Sequence, residues 1–158
     1  MKAETKFFGT IDIEDEKIIH FPMGIIGFEN FKNFALIYDS EREERGKISW
    51  LQSMDEPLLV MPVINPIELV GEYTPIIEDE LTKIIGNPAD EDLLILVTLS
   101  IPSDLTMMTA NLRAPFIINT VDRTAMQVIV ENQDYDIKFN AYEAIEKMRE
   151  KAQNKAGE

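Results

Sequence analysis

Residues 47–64 read Lys47-Ile48-Ser49-Trp50-Leu51-Gln52-Ser53-Met54-Asp55-Glu56-Pro57-Leu58-Leu59-Val60-Met61-Pro62-Val63-Ile64. Two apolar-rich runs, 47–52 and 58–64, lie on either side of Asp55-Glu56-Pro57, a cluster of turn-forming residues. Short runs rich in Ile, Leu, Val and Trp and closed by such clusters read as strands. The few residues between them cannot hold a crossover helix, so the pair is antiparallel.

The same pattern extends in both directions. Upstream, strands are expected at 6–13, 17–21 and 34–39; downstream, at 93–101, 106–111, 116–120, 125–131 and 135–139. Glu14-Asp15-Glu16, residues 41–46, Val121-Asp122-Arg123-Thr124 and Asn132-Gln133-Asp134 supply the turns. Two stretches break this rhythm with helical spacing. Ile77, Leu81, Ile84 and Ile85 fall on one helix face, and Gly86 is placed to end it. Near the C-terminus Asn140 is an N-cap with Glu143 three residues on, and Ala141, Ile145, Met148 and Ala152 line one face. The fold class is therefore mainly β: a compact antiparallel β-barrel-like or sandwich domain with a short internal helix and a C-terminal helix. No linker or repeat divides the 158 residues, so 1–139 form the β part and 140–158 the helix and frayed tail of the same domain.

Charge is the compositional outlier. Fifteen Lys and Arg against 29 Asp and Glu give a net charge of −14. The tail, 140–158, has four acids and four bases, so 1–139 carry the whole excess. Residues 48–112 hold eleven acids and one base, Lys83. Such a chain repels phosphate backbones and anionic lipid heads, which argues against direct binding to nucleic acid or a membrane. Without cysteine there is no disulfide, thiolate nucleophile or cysteine-ligated metal. The N-terminus has no apolar signal core, and the run 93–101 is far short of the ~20 residues of a membrane span. A cytoplasmic protein is expected.

The chemical inventory is thin. His20 is the only histidine and sits between Ile19 and Phe21 in a strand pattern, with no second histidine or cysteine to complete a metal site or nucleophile pair. Gly24-Ile25-Ile26-Gly27 is followed by no lysine and is not a phosphate loop. No catalytic, cofactor-binding or metal-binding residue is assigned. A hydrolase built on paired carboxylates is the enzymatic alternative.

Three segments stand out. Phe21-Pro22-Met23-Gly24-Ile25-Ile26-Gly27-Phe28-Glu29 joins a fixed proline φ to two permissive glycines, a recipe for a compact turn. Trp50-Leu51-Gln52-Ser53 places the single tryptophan in a strand, as core or as an interface anchor. Thr109-Ala110-Asn111-Leu112-Arg113-Ala114-Pro115 is followed by Ile117-Ile118-Asn119-Thr120, in which amide side chains hold turns or strand ends.

In this order, and over most of the chain from Phe21 to about Tyr135, the three segments resemble the flagellar assembly factor FliW family. The one departure is Ile26, where the family usually has proline between the glycines. The resemblance implies a non-enzymatic cytoplasmic protein of β-barrel-like fold that binds flagellin and the RNA-binding translational repressor CsrA. Flagellin would displace the repressor, so that flagellin level controls flagellin translation. A flagellin chaperone without repressor binding is the nearer alternative. The resemblance assigns no binding residues. From charge alone, the partner-facing candidates are Glu41, Glu43, Glu44, Glu78, Asp79 and Glu80. Asp90, Glu91 and Asp92 rank lower, because Pro88 marks a simple turn.

Overall fold

The computed structural model describes residues 1–38 and 48–156, with side chains described through residue 151. Among the described residues there are eleven short strands: β1 Lys2–Thr5, β2 Gly9–Asp12, β3 Ile19–His20, β4 Asn33–Tyr38, β5 Ser49–Ser53, β6 Val60–Ile64, β7 Leu93–Ser100, β8 Thr109–Ala110, β9 Phe116–Asn119, β10 Thr124–Gln127 and β11 Phe139–Asn140. Three α-helices, α1 Ile67–Val70, α2 Asp79–Thr82 and α3 Tyr142–Ala156, complete the regular structure with several 3-10 turns.

Seven strands close a barrel in the order β7-β6-β5-β4-β3-β10-β9, and β9 pairs back onto β7 to seal it. Every pairing is antiparallel except β3 with β10, which rests on the single match of His20 with Thr124. Closure removes the free edges that an open sheet would present. Within the barrel lie Ile19, Phe21, Phe34, Leu51, Val63, Leu96, Phe116, Ile118 and Ala125. Phe21 is fully buried, and its ring meets Phe34 and Phe116 edge-on at 5.3 and 5.6 Å.

The barrel wall is covered from outside as well. The β1–β2 hairpin lays Ala3, Ile11 and Ile13 against Ala35 of β4 and Met54. Leu69 of α1 and Ala141 and Ile145 of the C-terminal segment cover Ile64, Val97 and Leu99 on β6 and β7. Ile77, Leu81 and Ile85 cover Ile117 and Met126 on β9 and β10. A wall apolar on both faces explains why 93–97 and 116–118 are continuous apolar runs instead of alternating ones.

The expected boundaries shift where turns intervene. The expected strand 6–13 keeps only β2, and β1 lies before it, because residues 6–8 form a turn in which Thr5 Oγ1 accepts from Phe8 N–H and donates to Gly9 O. The expected strand 106–111 shrinks to β8, since Asp104 accepts from Thr106 N–H and starts a 3-10 turn at Leu105–Met107. Residues 128–130 leave regular strand pairing, although Val128 and Val130 still donate to Pro115 O and Arg113 O. The internal helix divides into α2 and a 3-10 turn, Lys83–Ile85, ended by left-handed Gly86 as its position suggested. At α3, Asn140 Oδ1 accepts from Tyr142 N–H, and Ala141 and Ile145 are buried with Met148 partly so. The side chain of Ala152, expected on that face, lies outside those described. Among the described residues no helix is long and apolar enough to cross a membrane.

Because Phe21 touches both flanking aromatic rings, Phe21→Ala should cost about 3–5 kcal/mol in chemical denaturation. Phe21→Leu, which refills part of the space, should cost clearly less.

Candidate functional site

Glu78 immediately precedes α2, and Asp79 and Glu80 occupy its first turn; all three are exposed. Asp90 and Glu91 are exposed and Asp92 half-buried in the 3-10 turn Asp90–Asp92. Both runs belong to the long connection from β6 to β7, and the barrel brings them to one place. Asn119 Nδ2 donates to Ile85 O at 2.8 Å, while Thr120 N–H and Oγ1 both donate to Asp92 O. The turn between β9 and β10 is thus held to Ile85, five residues beyond the first acidic run, and to Asp92 of the second, and exposed Asp122 adds another carboxylate there. Lys83 is the one base within 78–92, and it pairs with Glu80 at 3.2 Å on the surface. A bridge so exposed contributes little energy and leaves the region strongly negative. Both acidic runs therefore lie on a connection that is anchored to the same β9–β10 turn, through Ile85 and Asp92. Glu41, Glu43 and Glu44 lie outside the described residues.

The amide side chains singled out by sequence hold turns. Asn119, buried, accepts from Val121 and Asp122 N–H; Asn111 accepts from Arg113 and Ala114 N–H. Trp50 is half-buried, its ring edge-on to Phe8 of the hairpin at 6.4 Å. His20 is exposed on β3, with Nδ1 3.0 Å from Asn33 Oδ1. Among the described residues, no three His, Asp or Glu side chains come together as a metal site.

A second surface was legible in sequence only as a turn. Between β3 and β4 the chain makes three successive tight turns: Gly24 N–H donates to Phe21 O, Phe28 N–H to Ile25 O, and Phe31 N–H to Phe28 O. Phe21 and Ile25 point into the barrel, while Met23, Ile26 and Phe28 face solvent at 63%, 56% and 44% exposure. Long-range braces hold this loop. Ile26 N–H donates to Gln127 Oε1 at 2.9 Å, Gln127 Nε2 reaches Ala114 O, and Lys32 Nζ donates to Pro22 O at 2.8 Å. Glu29 Oε1 accepts from Gly27 N–H at 3.2 Å. Backbone donors, first its own and then Gly27's, hold the Glu29 carboxyl below the ordinary glutamate value.

A sequence profile of the family described as "FliW protein" matches residues 2–141. The chain is 44% identical over 158 residues to a "Flagellar assembly factor FliW" of Lachnoclostridium phytofermentans, covering 100% of this chain and 99% of that one. It is 41% identical over 148 residues to a protein of the same name from Lachnospira eligens, covering 93% and 98%. A solved structure titled "Crystal structure of the flagellar assembly factor FliW" superposes with a TM-score of 0.81 at 30% identity, covering 90% of this chain and 97% of that one.

The loop makes a contrast that can be measured. A methyl group at Gly24 would lie 2.5 Å from Glu29 backbone atoms, whereas one at Gly27 would meet nothing within 4 Å; both glycines have positive φ. Gly27→Ala should carry only the left-handed backbone penalty of about 1–2 kcal/mol, and Gly24→Ala distinctly more, by chemical denaturation.

Proposed function

The chain belongs to the FliW family of flagellar assembly factors, and from that premise we propose that it binds flagellin and antagonises the translational repressor CsrA, coupling flagellin level to flagellin translation by partner exchange. The protein acts in the cytoplasm, without catalysis and without touching RNA itself. When flagellin is scarce the repressor is held; when flagellin accumulates it takes its place, and the freed repressor shuts translation down. Secretion of flagellin reverses the exchange. The output depends only on relative affinities and concentrations, which is mass action and needs no chemical step.

The observation that carries the repressor half is the acidic excursion gripping the β9–β10 turn, where six carboxylates in 78–92 face one lysine. A protein that binds RNA presents basic residues to phosphate, so an anionic surface is its complement. Glu78, Asp79 and Glu80 are assigned to this contact, with Glu41, Glu43 and Glu44 as a second cluster. Unlike charges across an interface chiefly raise the association rate. A negative body bound beside the repressor also repels approaching RNA over roughly a Debye length, about 8 Å at physiological salt. Flagellin binding, on this reading, rests on apolar contacts. A flagellin chaperone without repressor binding is the competing reading, favoured by the exposed apolar loop taken alone.

Capture of each purified partner separately, then of both together, separates the two readings. The partner-exchange account expects both to bind and flagellin to displace CsrA; capture of flagellin only leaves the chaperone. Reversing Glu78, Asp79 and Glu80 to lysine should slow CsrA association severalfold and flatten its salt dependence, with flagellin affinity little changed. Unaltered CsrA kinetics in the folded variant would contradict the electrostatic account.

A further inference from the structure

Among the described residues, Asn87 and Arg123 are the two that hold a positive φ without being glycine. Asparagine tolerates the left-handed region; arginine, at +59°, enters it only under strain. Arg123 closes the β9–β10 turn. Its N–H donates to Asn119 O at 2.8 Å, and its carbonyl accepts from His20 N–H at 2.8 Å across the seam to β3. Both bonds are made by backbone, and glycine would make them without the strain. Nothing in the turn asks for a side chain at 123.

The side chain finds no use inside the molecule either. Arg123 is half-buried, and among the described residues its guanidinium makes no hydrogen bond or ion pair. Carboxylates are close at hand: Asp122 is its neighbour in sequence, and Thr120 ties the turn to Asp92. Lys83, by comparison, is matched to Glu80. A strained backbone that carries an idle side chain is explained when that side chain works in a complex.

The chemistry around Arg123 selects its counterpart. A guanidinium offers only donors, in a planar fork that fits a carboxylate or a phosphate. Phosphate is unfavourable here, because Asp90, Glu91, Asp92 and Asp122 stand on the two turns that Thr120 joins, four carboxylates to one guanidinium. RNA and anionic lipid are repelled. A second copy of a chain of net charge −14 is repelled as well. What fits is one carboxylate carried on an otherwise basic protein surface: the acidic connection draws the bases, and the acid answers Arg123.

We propose that Arg123 is a specificity-determining residue of the repressor contact, pairing with one acidic side chain that CsrA presents among its bases. The assignment rests on the reading above that CsrA is a partner. Acidic runs attract any basic protein. A guanidinium set among them turns away a surface that brings a further cation there and holds one that brings a carboxylate.

Binding kinetics of the full chain with purified CsrA, beside thermal unfolding, test this. Arg123→Gly removes the guanidinium and relaxes the left-handed backbone, so the thermal midpoint should hold or rise. CsrA affinity should nevertheless fall at least about tenfold, mainly through faster dissociation. Charge alone predicts the reverse, since an anionic surface that loses a cation captures a basic partner better. Arg113→Ala removes another half-buried arginine without an ion pair, from backbone of ordinary φ, and should not weaken binding. Arg123→Glu should lose more affinity than Arg123→Gly, and one Asp or Glu of CsrA changed to lysine should restore at least about tenfold of it. If Arg123→Gly loses its thermal transition, Arg123→Asn carries the test. CsrA affinity within twofold of wild type, or tighter, in the folded Arg123→Gly variant would overturn the proposal. So would an equal loss in Arg113→Ala, or the absence of any rescuing CsrA variant. Failure of the wild-type protein to bind CsrA at all would overturn the functional reading, and this assignment with it.

Discussion

The ring of Phe21 fills the middle of the barrel, and much of the architecture follows from that. Strand β3 is only two residues long and joins β10 through one parallel pair, the weakest seam in the wall. Hydrogen bonds there are too few to secure closure. Burial of Ile19 and Phe21, with edge-on contacts to Phe34 on one side and Phe116 on the other, supplies what the ladder lacks. The backbone of the same residue is fully used: its N–H donates to Lys32 O and its carbonyl accepts from Gly24 N–H. The plug of the barrel is therefore also the root of the loop that displays Met23, Ile26 and Phe28.

How far the sequence revealed this depends on what each stretch had to satisfy. Strands β4, β5, β6 and β7 were legible because polar turn clusters bracket them and their length suits a wall strand. The first hairpin was not, because Thr5 and Gly9 reverse the chain without interrupting the apolar rhythm of 6–13. Residues 106 and 107 looked extended because nothing in Leu105-Thr106-Met107 announces the 3-10 turn that Asp104 starts. The helix α1 follows Pro66 and is four residues long, too short for any period to register. A barrel-like sheet was among the expectations, but which strands close it was not legible, since β9 pairs with β7 across the intervening β8 and its turns.

The functional surfaces divide the same way. Acidic runs at 78–80 and 90–92 can be read from composition, because carboxylates without counter-charges stay in water. That the connection carrying both is anchored to one turn could not be read, as it depends on Asn119 and Thr120 reaching Ile85 and Asp92 across the fold. The apolar loop was recognised as a turn but not as a display, since side chains at 21 and 25 go inward while 23, 26 and 28 go outward, a spacing that belongs to neither helix nor strand. One small barrel thus carries two chemically unlike surfaces, one anionic and one apolar.

The barrel plug and the display loop form one rigid unit, and amide hydrogen exchange measures this coupling most directly. If it holds, the N–H groups of Gly24, Phe28 and Phe31 exchange only with global unfolding, as slowly as Leu51 in the barrel wall. Exchange of those three at the rate of an open surface loop, while Leu51 stays protected, would contradict it.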